Sequence, residues 1–354
     1  MSHDGPFEPH SIRSADDTSA RQNDNSDAET SPLSPVLRIS SEEITALASQ
    51  QEEPHPEAED NAAAGLFRSW AESGYDPWPP ADSLPRERIP NLGHMAVFSL
   101  IGLVSLVVVA LLTRSAVYFH FLGVTSPHQA ATDIRYTLGS QAILYVMTLL
   151  ASALLLPLFW NRSFLSGLQW NGIMAFRLRR RLLAAAFVCF LCALLNGWLL
   201  PGPDDTPIEK IFRTPGAAWL LFGFGITFAP LFEEIIFRGF LLPSLCTALD
   251  WIGEKSTGRL PRRPFESGHP RWSVRSMTAA SILSSIPFAL MHAEQTGYAV
   301  GPFLLLVFVS LVLCWARLST RSLAASVLVH SSYNLMLFFL LLLGTGGFRH
   351  LEKM

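Results

Sequence analysis

Polar and apolar residues are segregated along this chain rather than alternated. From position 91 onward, apolar runs at about 95–112, 142–160, 182–200, 217–242, 277–291, 299–318 and 323–343 are separated by short, arginine-rich loops. The hydrocarbon core of a bilayer is about 30 Å thick, and a helix that crosses it needs roughly 17–25 mostly apolar residues. Each run is near that length, the one at 277–291 being the shortest. The runs are rich in Leu, Val and Phe without two-residue alternation, and backbone groups in lipid must be satisfied within their own segment. The pattern therefore predicts helices and not a barrel. The expected fold is all-α, a polytopic membrane bundle of about seven spans over 91–348.

Residues 1–90 read differently. Ser, Asp, Glu, Pro and Ala dominate, acidic residues outnumber Arg by about three to one, and Lys is absent. Such a segment cannot bury enough apolar surface to offset the entropy of ordering, so a disordered acidic N-terminal tail is expected. Within it, Ser40 to Glu43 resembles a capping box before Ile44, and Leu66, Phe67, Trp70, Tyr75 and Trp78 form an aromatic cluster that could dock on a partner or at the membrane surface. The polar start and the late first apolar run give no sign of a cleavable signal peptide.

Loop charge orients the bundle, because cytoplasmic loops carry an excess of Lys and Arg. The loop after the second run holds Arg162, Arg177, Arg179, Arg180 and Arg181, and the loop after the fourth holds Lys255, Arg259, Arg262, Arg263, Arg271 and Arg275. Alternation adds Arg86, Arg88, Arg317 and Arg321 to that side and leaves mainly Arg114, Arg135, Lys210, Arg213, Arg349 and Lys353 opposite. The expectation is an integral multi-pass protein, in the cell membrane if the source is prokaryotic, with a cytoplasmic N-terminus and the C-terminus outside. The basic stretch 173–181 reads as a positive-inside anchor. Cys189, Cys192, Cys246 and Cys314 fall in or beside apolar runs and read as small buried thiols, despite the CxxC spacing of the first two.

Three polar clusters interrupt the runs. In the fourth, Glu233, Glu234 and Arg238 fall within six residues, although each ionisable group at bilayer depth costs roughly 2.5–3.5 kcal/mol on insertion scales. Glu234 and Arg238, four residues apart, share a helix face at ion-pair distance. Glu233 is rotated from that face by about 100°. The spacing divides their labour: Glu234 and Arg238 neutralise each other, and Glu233 stays available for chemistry. In the fifth run Phe288 and His292 are four apart, and in the seventh His330 and Asn334 are as well. A lone intramembrane His is more often an interhelical hydrogen-bonding group than a catalyst. A carboxylate, two imidazoles and an amide on separate spans point instead to a functional site.

These clusters, Glu-Glu-x-x-x-Arg at 233–238, Phe-x-x-x-His at 288–292 and His-x-x-x-Asn at 330–334, resemble the three ordered motifs of the CPBP intramembrane protease family. That family takes in the type II CAAX prenyl-protein endopeptidases and bacterial relatives linked to bacteriocin processing and immunity. The resemblance covers a core at about 217–343, and the acidic tail has no counterpart in it. It implies an intramembrane endopeptidase in which Glu233 with His292 activates water, His330 and Asn334 stabilise the oxyanion, and Glu234, Arg238 and Phe288 give structural support. The implied substrate is a membrane-associated protein or peptide, with or without a lipid. The bilayer is the other partner, and no nucleic acid is expected. A metal-free glutamate mechanism is expected, with no cofactor. Were zinc bound, Glu233, His292 and His330 would be its ligands.

Two other readings stay open on the residues alone. One is a catalytically inert immunity or scaffold protein of the same family. The other is a proton-coupled transporter, for which internal repeats and paired broken helices would be the sign. Pro230 and Pro243, which bracket the glutamates, could kink the fourth span around a cavity. A serine nucleophile is not expected, since Ser331 and Ser332 adjoin His330 and adjacent helical positions do not face one another.

Overall fold

The computed structural model describes residues 88–200, 216–262, 264–265 and 269–349. Apart from residues 88–90, the expected acidic tail with its capping box and aromatic cluster lies outside the described residues. The helices are α1 (Leu92–Tyr118), α2 (Pro127–Thr132), α3 (Ile134–Trp160), α4 (Phe164–Gly167), α5 (Gly172–Arg177), α6 (Arg179–Leu199), α7 (Ala217–Ile226), α8 (Phe228–Glu234), α9 (Leu242–Thr257), α10 (Val274–Met291), α11 (Val300–Thr320) and α12 (Leu323–Gly344). A π-helical turn, Ile235–Leu241, joins α8 to α9. No strand occurs among the described residues.

Seven helical stretches are long and apolar enough to cross a bilayer: α1, α3, α6, the composite Ala217–Thr257, α10, α11 and α12. Their outer faces carry side chains such as Leu100, Leu103, Leu154 and Leu158 with more than half of their surface open. Apolar display on that scale suits hydrocarbon and not water. The fold is thus the membrane bundle that the hydropathy pattern predicts.

The helices outrun the apolar runs because capping, not hydropathy, ends them. Asp133 accepts from the Arg135 amide and starts α3 eight residues before the run at 142. Ser273 and Ser322 cap α10 and α12 in the same way, and Gly258 closes α9 in the left-handed conformation. Short side-chain acceptors at a helix start satisfy amides that lack intrahelical partners, and a left-handed glycine ends a helix without steric cost.

The fourth run is the irregular one. It breaks at Thr227 (φ −124°, ψ −77°), restarts with Pro230 inside the first turn of α8, widens into the π turn and continues into α9 with Pro243 in its first turn. The irregularities fall near the two prolines and not at them, at Thr227 and in the turn 235–241. Proline is tolerated in a first helical turn, where its missing N–H is least felt. The π turn sits between two apolar clusters. Phe237 packs with Phe288, Val309, Leu313 and Val329, while Ile235 and Phe240 pack with Phe98, Leu156, Trp160 and Leu168. Its position is therefore fixed from both sides. α10 packs on α9 and α11, and α12 packs on α6, α8 and α11.

Loops after the second, fourth and sixth spans meet at one end of the bundle. The Ser322 hydroxyl donates to the Asn171 carbonyl at 2.8 Å and the Leu323 amide to the Gln169 carbonyl at 3.0 Å. The guanidinium groups of Arg321 and Arg271 lie 3.9 and 4.5 Å from the Phe265 ring centre. One member of the expected basic rim is at that end but not on its surface: Arg317 is about 2% exposed, inside α11, where it is held by internal oxygens that include Gln169 Oε1 and the Leu168 carbonyl. It is not a loop charge, since α11 runs on past it to Thr320. Cys189, Cys246 and Cys314 are buried free thiols, and Cys192 is half-buried.

Candidate active site

The two glutamates end α8 and face different surroundings. Glu234 is fully buried, and its Oε1 accepts from Arg238 Nη1 and from His330 Nδ1, each at 2.9 Å. Arg238, also fully buried, donates through Nη2 to the Ser310 carbonyl at 3.0 Å and hydroxyl at 2.8 Å. Its guanidinium lies 4.5 Å from the centre of the Phe288 ring. One carboxylate thus binds α8 to α12, and its arginine binds the π turn to α11 and α10. A buried ion pair persists only when its remaining donors are satisfied, and here Ser310 takes one of them.

Glu233 points elsewhere, as the 100° step between neighbours requires. Its side chain keeps about 12% exposure, and its Oε2 lies 3.8 Å from Nε2 of His292 and 3.8 Å from Nε2 of His330. His292 follows the last residue of α10, and its Nδ1 meets the Phe288 carbonyl at 2.9 Å. The Phe288 ring centre lies 5.0 Å from that of His292, 5.9 Å from that of His330 and 5.2 Å from that of Phe237. Phe288 therefore orients His292 twice, by its carbonyl and by its ring.

These outer bonds decide the polarity of the inner ones. A carbonyl only accepts, so His292 Nδ1 carries its proton. Glu234 Oε1, beside the Arg238 cation, also accepts, so His330 Nδ1 carries its own. In the neutral imidazoles both Nε2 atoms are then lone pairs, and both face a carboxylate oxygen. Three acceptors cannot bond one another. Only a proton, or a water that brings hydrogens, satisfies them. A water oxygen about 2.8 Å from each of two atoms at this separation fits with ordinary hydrogen-bond geometry.

Asn334 is less central than its motif suggests. Its Nδ2 donates to the Gly225 carbonyl in α7 at 2.8 Å, across the break at Thr227. That bond uses one of its two amide hydrogens and leaves the other. Two neighbours of the site carry no signal of spacing. Ser310 lies in the apolar run of α11. Tyr145, in α3, stacks on Phe232 at 3.7 Å and accepts from Gln141 Nε2 at 2.6 Å. Each meets the glutamate turn from another span, so the sequence around it gives no hint of its partner.

His330 lies seven residues into α12, about 10 Å along the axis from its start and about 21 Å from its end. Because α12 starts at the end where the arginine loops gather, the site lies nearer that end. As to a metal, the donor set of Glu233, His292 and His330 is of a suitable kind. Its spacing is wider than the roughly 3.4 Å between ligands of tetrahedral zinc, and among the described residues no group of three or more His, Cys, Asp or Glu is set to hold an ion. To ligate zinc, Glu233 would have to approach each imidazole by a few tenths of an ångström.

Comparison with known proteins bears on the same stretch. No curated protein and no solved structure matches the chain. Residues 215–336 match the family model described as type II CAAX prenyl endopeptidase, Rce1-like. The stretch includes every residue of the three motifs, from Glu233 to Asn334. The chain thus carries, at 215–336, a domain that matches the Rce1-like family of type II CAAX prenyl endopeptidases, the resemblance that its motifs already express.

Proposed function

We propose that this protein is an intramembrane endopeptidase that hydrolyses a peptide bond of a membrane-associated protein or peptide, with Glu233 as the base that activates water. The convergence of Glu233 Oε2 with two imidazole Nε2 atoms whose outer nitrogens are already committed is the observation that carries this reading. The water that satisfies them is held by acceptors alone, which draws its protons and readies its oxygen for attack. Glu233 takes one proton as the water oxygen bonds to the scissile carbonyl carbon. It returns that proton to the amide nitrogen as the C–N bond breaks. His292, fixed by Phe288, steers the water. The spare amide hydrogen of Asn334 supports the developing oxyanion, and His330, its Nδ1–H held by the Glu234 carboxylate, joins it when Nε2 also carries a proton. No step requires a metal.

The N-terminus is placed in the cytoplasm on the arginine distribution, so the site opens nearer the cytoplasmic face. Reporter fusions near Arg180 and Arg262 should read cytoplasmic and a C-terminal fusion outside. Opposite readings at the first two would refute that topology. The activity itself is tested by mass spectrometry of membrane peptides from cells carrying the wild type or Glu233→Gln. Cleavage products confined to the wild type support the reading, and identical peptide profiles favour a catalytically inert relative.

A further inference from the structure

Among the described residues Arg317 is the second fully buried guanidinium, after Arg238, and the reaction outlined above gives it no part. Nε donates to the Arg238 carbonyl at 3.1 Å, Nη1 to Gln169 Oε1 at 2.8 Å and Nη2 to the Leu168 carbonyl at 3.4 Å. All three acceptors are neutral oxygens. A cation withdrawn from water into such company is costly to keep.

The Arg238 carbonyl supplies a reason. In the π turn each amide reaches back five residues, and the Leu242 amide closes on the Phe237 carbonyl. An α-helix would have given the Leu242 amide to Arg238. In the π ladder the next rung falls to position 243, and Pro243 has no N–H. Its ring also crowds the carbonyl four residues back, at Gly239, and so opposes an α-helical turn there. One proline therefore widens the turn and deprives the Arg238 carbonyl of its backbone donor. A buried acceptor left in that state is destabilising. Arg317 Nε is the donor it finds.

The other two bonds extend the effect. They hold the 168–169 stretch, whose Gln169 adopts φ +57°, a conformation rare for a residue with a side chain. The Gln169 carbonyl in turn accepts from the Leu323 amide at the start of α12. Arg317 thus ties the turn that follows the glutamates to the starting level of the helix that bears His330. Were the π turn to tighten into α-helix, the residues on either side would rotate by about 100° relative to each other. Arg238 would then shift relative to Ser310 and Phe288, the partners that hold it from α11 and α10.

We propose that Arg317 is a positioning residue for the glutamate pair, holding the π turn Ile235–Leu241 open by giving the Arg238 carbonyl the hydrogen bond that Pro243 cannot. The catalytic half of this statement rests on the endopeptidase reading, and the structural half does not. The test uses full-length protein in lipid nanodiscs: wild type, Arg317→Met, Pro243→Ala and the double variant. Hydrogen exchange of the peptide covering 235–242 is read beside peptidase turnover.

Arg317→Met should exchange that peptide at least tenfold faster and lower kcat at least tenfold at similar KM. Thermal stability need not fall, because the cost of burying the charge goes too. Adding Pro243→Ala restores an N–H within reach of the Arg238 carbonyl and should recover most of the protection, whereas turnover need not follow, because the ring that opposes an α-helical turn is gone as well. A merely structural arginine would not be relieved by a change at 243. Unchanged exchange in Arg317→Met, or an exchange defect that Pro243→Ala leaves intact, overturns the proposal. If Arg317→Met alone does not fold, recovery of folded protein in the double variant supports it and failure there overturns it. If the wild type cleaves nothing, the endopeptidase reading falls by itself, and the exchange measurement still decides the role of Arg317.

Discussion

Consecutive residues of one helix, Glu233 and Glu234, occupy opposite kinds of space. Around Glu234 the molecule is nearly closed: carboxylate, guanidinium, serine and imidazole bond one another from four segments, and no part of the ion pair is exposed. Of its polar atoms, Glu234 Oε2 and Arg238 Nε are without a hydrogen bond among the described residues. Around Glu233 it is unfinished, with partners at 3.8 Å and partial exposure. A closed polar lattice fixes geometry, and an unfinished one leaves room for a reacting molecule. The difference assigns structure to one glutamate and chemistry to its neighbour, and it can be broken at either.

The largest effect is expected on the open side. Glu233→Gln keeps size and most hydrogen bonding but removes the base, so turnover should fall by about 10²–10⁴-fold while yield and thermal stability stay near wild type. An active Glu233→Gln beside a folded but dead Glu234→Gln would invert the assignment. On the closed side, Glu234→Gln leaves the Arg238 cation without its counter-charge, a defect of roughly 3–5 kcal/mol. It should cost folded yield first. Glu234→Gln combined with Arg238→Leu should recover part of that yield, measured by size-exclusion chromatography. If the double variant is worse than the single, the pair does more than neutralise itself.

Smaller changes sharpen the boundary between the two sides. Asn334→Leu orphans the Gly225 carbonyl and should cost about 1–3 kcal/mol of stability. Its turnover should fall further than that loss explains if the spare amide hydrogen serves the oxyanion. Smaller still is a pH effect at the basic rim. Burial, and then Arg162, Arg317 and Arg321, push His269 down to about 4 from its usual 6.5. The folded state therefore resists a proton that the unfolded chain accepts, and stability should decline as pH falls from 6.5 towards 4 and level off below. The imidazole is only partly buried, so the slope is shallow. His269→Gln should flatten it, and a slope that survives belongs to other groups. Last, a strong chelator should leave turnover unchanged. Inactivation reversed by stoichiometric zinc would make Glu233, His292 and His330 ligands.

Much of this was legible in the chain. Seven apolar runs gave seven spans, since the demand for internal backbone bonding in lipid leaves helices as the simplest answer. The i,i+4 pair of Glu234 and Arg238 could be read because helix geometry alone brings such residues together. What escaped notice shares a physical cause. Arg238 binds the carbonyl of Ser310, Asn334 that of Gly225, His292 that of Phe288 and Arg317 that of Arg238. In each bond one partner is backbone, which leaves no mark on residue identity. The bond from His330 to Glu234 was missed for a different reason: it joins two spans, and spacing along one helix cannot register it. The burial of Arg317 was not legible because a cation near the end of an apolar run looks like a loop charge.

The composite fourth span has a practical consequence. Its 41 residues correspond to about 60 Å of helix, twice the hydrocarbon thickness. The span is, however, broken at Thr227 and widened at the π turn, and its charged last turns with Asp250, Glu254 and Lys255 lie at the arginine-rich end, braced against α10 by bonds from Asp250 to Ser273 and Ser276 and from Trp272 to Thr247. Particle images of small membrane proteins lack a landmark outside the micelle. This braced end is a place to fasten one, and an antibody fragment raised against it would report the orientation of the glutamate turn while leaving the turn untouched.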